Sequence, residues 1–154
     1  MLVREAGLLF RGFTLVKKTF HKSDKGEIDQ DLRSGLLTAI ISFAQSAISK
    51  DLIEYFEGKK YIITFLEDKI TAEDSFEPEI IMSYAILDKG KKIEKYIRKI
   101  IQPLLKQIID EFKSVNSGKN LSEISRFRYF KQNLDIIFGT DTQTVDQKLK
   151  GVFS

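Results

Sequence analysis

Four carboxylates crowd into one short stretch, at Glu73, Asp74, Glu77 and Glu79. Oxygen ligands at that density suit a hard divalent cation, but the spacing is not that of an EF-hand loop, so the stretch reads as an acidic, solvated loop. His21 is the sole histidine, and a lone imidazole without an orienting partner makes a poor acid–base catalyst. Ser117-Gly118-Lys119-Asn120 lacks the upstream glycine and the closing Ser/Thr of a phosphate-cradling loop. The chain has no cysteine, which excludes disulfides, thiolate zinc sites and iron–sulfur clusters. Neither a G-x-S-x-G elbow nor a dinucleotide fingerprint occurs. The expectation is a chain with no catalytic residues, no cofactor and no resident metal.

Surfaces say more than reactions do. Lys91, Lys92, Lys95, Arg98, Lys99 and Lys106 share one side of a helix drawn at about 100° per residue, and only Glu94 opposes them, for a local balance of +5. Between Asp51 and Glu79 the sign reverses, with nine acidic residues against Lys59, Lys60 and Lys69. Such polarity can steer a charged partner, favour head-to-tail contact between copies, or weakly attract an anionic membrane. A solubilising face is the plainer account.

Residues 34–49 carry no charged side chain. Ser34, Thr38, Ser42, Gln45 and Ser49 fall on one stripe opposite an apolar face, where small neutral groups let another backbone approach at little desolvation cost. That stripe is the candidate protein interface; cover by the chain's own C-terminal residues, or plain solvent, are its alternatives. Arg126-Phe127-Arg128-Tyr129-Phe130-Lys131 interleaves cations with rings, as nucleic-acid stacking platforms do. Phe127, Phe130, Leu134 and Ile137 nevertheless make one apolar helical line and read as core, which disfavours a nucleic-acid partner.

The elements that must position these groups emerge from periodicity. The 154 residues are 42% hydrophobic and 31% charged with a net charge of +3, the range of one globular domain. Residues 6–10 and 13–21 are apolar-rich runs around Arg11-Gly12, a hairpin in which Gly12 takes positive φ. A helix capped by Asp29 or Asp31 runs to about Ser49. Strands at 52–56 and 61–66 flank a second hairpin turn. Residues 68–78 form the acidic loop, with Pro78 just ahead of a strand at 79–87 whose apolar residues on both sides mark it as central. A helix over 91–115 is expected to kink at Pro103. A third, over 122–138, is stopped by Gly139, and 145–153 add a turn or two.

The order β-β-α-β-β-β-α-α predicts an α+β fold: a five-stranded, mainly antiparallel sheet with helices packed on it. The domain spans 1–138, with 139–154 as a C-terminal extension. Residues 1–20 lack a secretory pattern, and the longest apolar run, 36–44, is too short for a span. The expected location is cytoplasmic, peripheral at a membrane surface at most.

With that order, the Gly-containing first hairpin and the stretch Asp31-Leu32-Arg33-Ser34-Gly35-Leu36-Leu37-Thr38-Ala39-Ile40, the chain resembles longin-like domains over roughly residues 1–138. Roadblock domains, the nearest competitor, normally open with a helix before the first hairpin. The resemblance implies a non-enzymatic interaction module of vesicle-trafficking machinery, as found in small-GTPase exchange factors, adaptors and SNARE-type proteins, with no catalytic residues to transfer. The partner it implies is a small GTPase or another longin- or roadblock-type domain, with a homodimer as a variant. The alternative function is a sensor that holds a small apolar ligand between sheet and helices.

Overall fold

A computed structural model describes residues 3–20, 55–57 and 61–139. The first hairpin pairs β1 (Val3–Phe10) with β2 (Phe13–Thr19). Both turn residues take positive φ, Arg11 at 52° and Gly12 at 79°, the mirror-image turn whose twist matches the flanking strands. Gly12 adopts it freely, whereas Arg11 holds it against the crowding of its own Cβ. A register shift at Leu8/Leu9 adds one residue to β2. That bulge breaks the in–out alternation, so Leu15 and Val16, neighbours in sequence, are both buried.

Three further strands complete the sheet: β3 (Tyr55–Glu57), β4 (Tyr61–Ile70) and β5 (Glu79–Asp88). The order is β2-β1-β5-β4-β3 with every neighbouring pair antiparallel. The fold is thus α+β, and β5 takes the central place its two apolar sides required. Five full strands were expected; four long ones form, and the fifth is a three-residue segment along the outer edge of β4. β4 also runs past the expected end at 66. Asp68 and Lys69, which read as loop, are on the strand because Ile70 is buried and Asp68 is held by Lys113 at 3.3 Å.

One face of the sheet carries the described helices. There Ala6, Leu8, Ile62, Ile81, Ala85 and Leu87 join one core with the buried side of the long helix. The opposite face has its own buried cluster of Leu9, Ile63, Phe65, Met82, Tyr84 and Ile86. The expected helix over 29–49 and the extension beyond 139 lie outside the described residues.

The long helix is not uniform. It starts as α1 (Ile93–Tyr96), widens into a π-turn at Ile97–Ile101, and continues as α2 (Gln102–Asn116). The irregularity expected at Pro103 therefore lies just ahead of it. Proline has no N–H to give and crowds the carbonyl four residues back. It stands in the first turn of α2, directly after the π-turn, where the regular i→i+4 ladder is already interrupted. Spacing explains the rest. Ile93, Ile97, Ile101 and Leu105 recur every four residues, and each such step drifts by about 40° on a 3.6-residue helix. A wider turn with i→i+5 bonds takes up that drift and keeps Ile97, Ile101 and Leu105 fully buried.

The third helix is shorter than expected. A 3-10 turn at Ile124–Phe127 precedes α3 (Phe130–Phe138). Phe127 and Phe130, three residues apart, both reach Phe112, with ring centroids 5.2 and 5.4 Å away. Gly139 ends α3, as expected, and does so in the right-handed region, φ −54°. It is small because a Cβ there would meet the Asp135 carbonyl oxygen at 2.8 Å. Among the described residues no helix is long and apolar enough to cross a membrane.

Candidate functional site

The two ends of the sheet differ in chemistry. At the hairpin end, the backbone of Arg11 turns its guanidinium toward the β4–β5 loop. Nε donates to Glu79 Oε1 at 2.9 Å, and Nη1 and Nη2 donate to the two Asp74 oxygens at 3.2 and 3.0 Å. The same cation lies 4.8 Å over the Phe10 ring. Ser75 Oγ donates to Glu79 and accepts the Ala72 N–H at 2.9 Å. The loop after α2 is tied in by backbone bonds, Gly118 N–H to Thr71 O at 2.7 Å and Glu73 N–H to Lys119 O at 2.9 Å. One arginine thus clamps two loops, and a third is stitched to them.

Electrostatics agree with the geometry. The hydrogen bonds to Glu79 and then Asp74 raise the Arg11 pKa further above its already high value. The Arg11 hydrogen bond, with Ser75 second, holds the Glu79 carboxyl below the usual range, and the same cation lowers Asp74. Asp68 is pushed up by partial burial, but the Lys69 N–H and Lys113 outweigh this and keep it low. Of the four carboxylates read as an acidic loop, Asp74 and Glu79 are thus engaged by Arg11, while Glu73 and Glu77 remain exposed. Among the described residues no group of His, Cys, Asp and Glu could hold a metal ion.

Beside the clamp two rings are exposed. Phe13, at the start of β2, is 65% exposed, and Phe76, in the β4–β5 loop, is fully exposed. Phe13 comes two residues after Arg11 and Phe76 two after Asp74, so each ring stands beside one half of the clamp. Sequence reasoning missed this pair. Its signal was faint: Phe76 stands among acidic and polar residues, and Phe13 reads as one more apolar residue of the first hairpin.

At the other end, Arg4 Nε donates to Asp88 Oδ1 at 2.8 Å and fastens the start of β1 to the end of β5. The chain then turns through Lys92, φ 58°, into α1. Lys91, Lys92, Lys95, Arg98 and Lys99 of the expected stripe are all exposed here, as is Lys89. Among the described residues, Lys91, Lys92, Lys95 and Lys99 enter no ion pair. Lys106, the last member of the expected stripe, lies beyond the π-turn, is exposed, and pairs with Asp110 at 3.2 Å.

Ser34, Thr38, Ser42, Gln45 and Ser49, the expected interface stripe, lie outside the described residues, as does His21. In the aromatic–basic segment Phe127 and Phe130 are core, as expected, and Tyr129 is half-exposed with its hydroxyl accepting from Asn116 Nδ2 at 3.0 Å.

A buried polar group also escaped the sequence reading. Glu5, 1% exposed, accepts from the Tyr84 hydroxyl at 2.7 Å and from Thr19 Oγ1 at 3.5 Å. Gly7 makes this possible, because a Cβ there would lie 2.8 Å from the Tyr84 ring and 2.6 Å from the Val16 carbonyl oxygen. A glycine inside a strand was the available sign of such a close approach. The sequence matches no known family model, and no curated protein matches it.

Proposed function

We propose that the chain is a longin-like, non-enzymatic interaction module that scaffolds or regulates a small GTPase or a trafficking-type complex, and that it engages its partner at the hairpin end. The observation that carries this reading is the pair Phe13 and Phe76, exposed at the start of β2 and in the β4–β5 loop, the two segments that Arg11 ties together. Aromatic anchors contribute most to interface energy when they are already ordered, because binding then immobilises little. The interior under the long helix is occupied by Ile97, Ile101, Leu105, Ile108 and Phe112, which supports an interaction role over a ligand sensor. The partner class rests on the resemblance in element order.

The test is binding of the chain to a panel of small GTPases, each nucleotide-free, loaded with GDP, and loaded with a GTP analogue. One state of one GTPase is expected to bind at least about tenfold better than the others, since a regulator must discriminate between states. Phe13→Ser with Phe76→Ser should abolish that binding while leaving the circular dichroism unchanged. Equal binding to all states would remove regulation and keep scaffolding. Binding that survives the double change would remove the hairpin end.

A further inference from the structure

We propose that the opposite end, Lys89 to Lys99, is a contact surface for an anionic membrane. Lys91, Lys92, Lys95 and Lys99 are exposed and enter no ion pair among the described residues, and Lys89 and Arg98 are exposed beside them. Glu94 alone opposes their sign. The cations belong to the turn into the helix and its first turns, so they form one compact patch rather than a dispersed solubilising shell.

Stability does not account for the patch. The first turn of a helix favours acidic side chains and is disfavoured by cations, yet Lys91, Lys92 and Lys95 stand just before it or in it. Charges kept where the fold would prefer their opposites have their use outside the fold.

The chemistry selects a lipid surface over other anions. Lysines on a convex helix are separate point charges on long stems, suited to an extended anionic plane, which attracts each of them without a shaped pocket. Ile100, 39% exposed among them, adds apolar contact. A nucleic-acid site would set exposed rings between its cations; here the nearby ring, Tyr96, is only partly exposed and packs on the core. A second copy would have to offer its hairpin end, where Arg11 engages Asp74 and Glu79 and only Glu73 and Glu77 of the four carboxylates are left outside the clamp. β5 separates the ends by about 30 Å at the usual rise per residue, so a chain seated on lipid by its lysines presents Phe13 and Phe76 away from the surface.

The experiment is flotation of the full chain with phosphatidylcholine vesicles with and without phosphatidylserine. Binding is expected only with phosphatidylserine and should fade as salt rises. Lys95→Glu with Lys99→Glu should weaken it at least 30-fold, about fivefold for each cation removed. Arg128→Glu with Lys131→Glu, an equal charge change elsewhere on the surface, should leave most of it. Failure to float with phosphatidylserine, equal loss in both double variants, or tighter capture by single-stranded RNA at matched salt would each overturn the proposal. None of these outcomes bears on the GTPase panel, which probes the other end.

Discussion

The hairpin end and the lysine end use charge in opposite ways. Around Arg11 the ions are turned inward on one another: Asp74, Glu79 and Ser75 converge on one guanidinium and its partners, and apolar rings are left for solvent. Around Lys95 the side chains are exposed, and Lys91, Lys92, Lys95 and Lys99 enter no ion pair among the described residues. A charge that binds the fold together and a charge that the fold merely carries are distinguished by what happens when each is removed. The first should lower stability and the second should raise it.

The largest effect is expected between the two ends, where a substitution tests whether they share one scaffold. Gly7→Ala puts a methyl group 2.6 Å from the Val16 carbonyl oxygen and 2.8 Å from the Tyr84 ring. Overpacking against backbone should cost about 2–3 kcal/mol and lower the melting temperature by roughly 5–10 °C. A calorimetric scan with an unchanged midpoint would mean that the sheet yields there, and that the ends are less rigidly coupled than their distances imply.

Arg11→Met comes next. It should lower the melting temperature by a few degrees at most, because the clamp is largely solvent-exposed. Its stronger signature is kinetic: amide hydrogen exchange at Gly12–Thr14 and in the β4–β5 loop should accelerate, and partner binding should fall by roughly tenfold as the rings lose their order. The clamp is also acid-sensitive. Glu79 and Asp74 have folded-state pKa values below their unfolded ones, so their contribution is complete above about pH 4 and fades as pH falls through the folded values. Exchange protection in these loops should therefore drop below about pH 4 in the native chain. The same titration should be much shallower in Arg11→Met, where only the Ser75 hydrogen bond still lowers Glu79, and an equal drop there would place the acid response elsewhere.

Lys95→Glu with Lys99→Glu gives the smallest change and the sharpest contrast. Reversing charge at Lys95, in the first turn of the helix, should raise stability by a few tenths of a kcal/mol, with little added by Lys99 beyond that turn, visible as a melting temperature higher by about a degree. A fall instead would show that these lysines support the fold, and the comparison would fail.

How much was legible beforehand depended on sequence distance. The Arg11-Gly12 turn, the central place of β5 and the start after Pro78 obey local rules, and all stand in the structure. The lysine cluster was equally plain, since its members are close in the chain. The clamp was not, because Arg11 meets Asp74 and Glu79 more than sixty residues away, and no periodicity links them. The end of β4 was lost to Asp68 and Lys69, charged residues that looked like loop until Lys113 supplied a partner.

The four-residue beat of the long helix's isoleucines has an evolutionary corollary. The wide turn at Ile97–Ile101 is a helix with one residue more than its length requires, and Ile100 is its exposed member. Deleting Ile100 would shorten the interval from Ile97 to the next buried isoleucine to three, which an ordinary α-turn accommodates. The inner ridge of the helix would keep every side chain, and only the outer rim would close up. A lineage could therefore gain or lose a residue here without redesigning the packing beneath, leaving the lysine end free to change its reach while the sheet stays as it is.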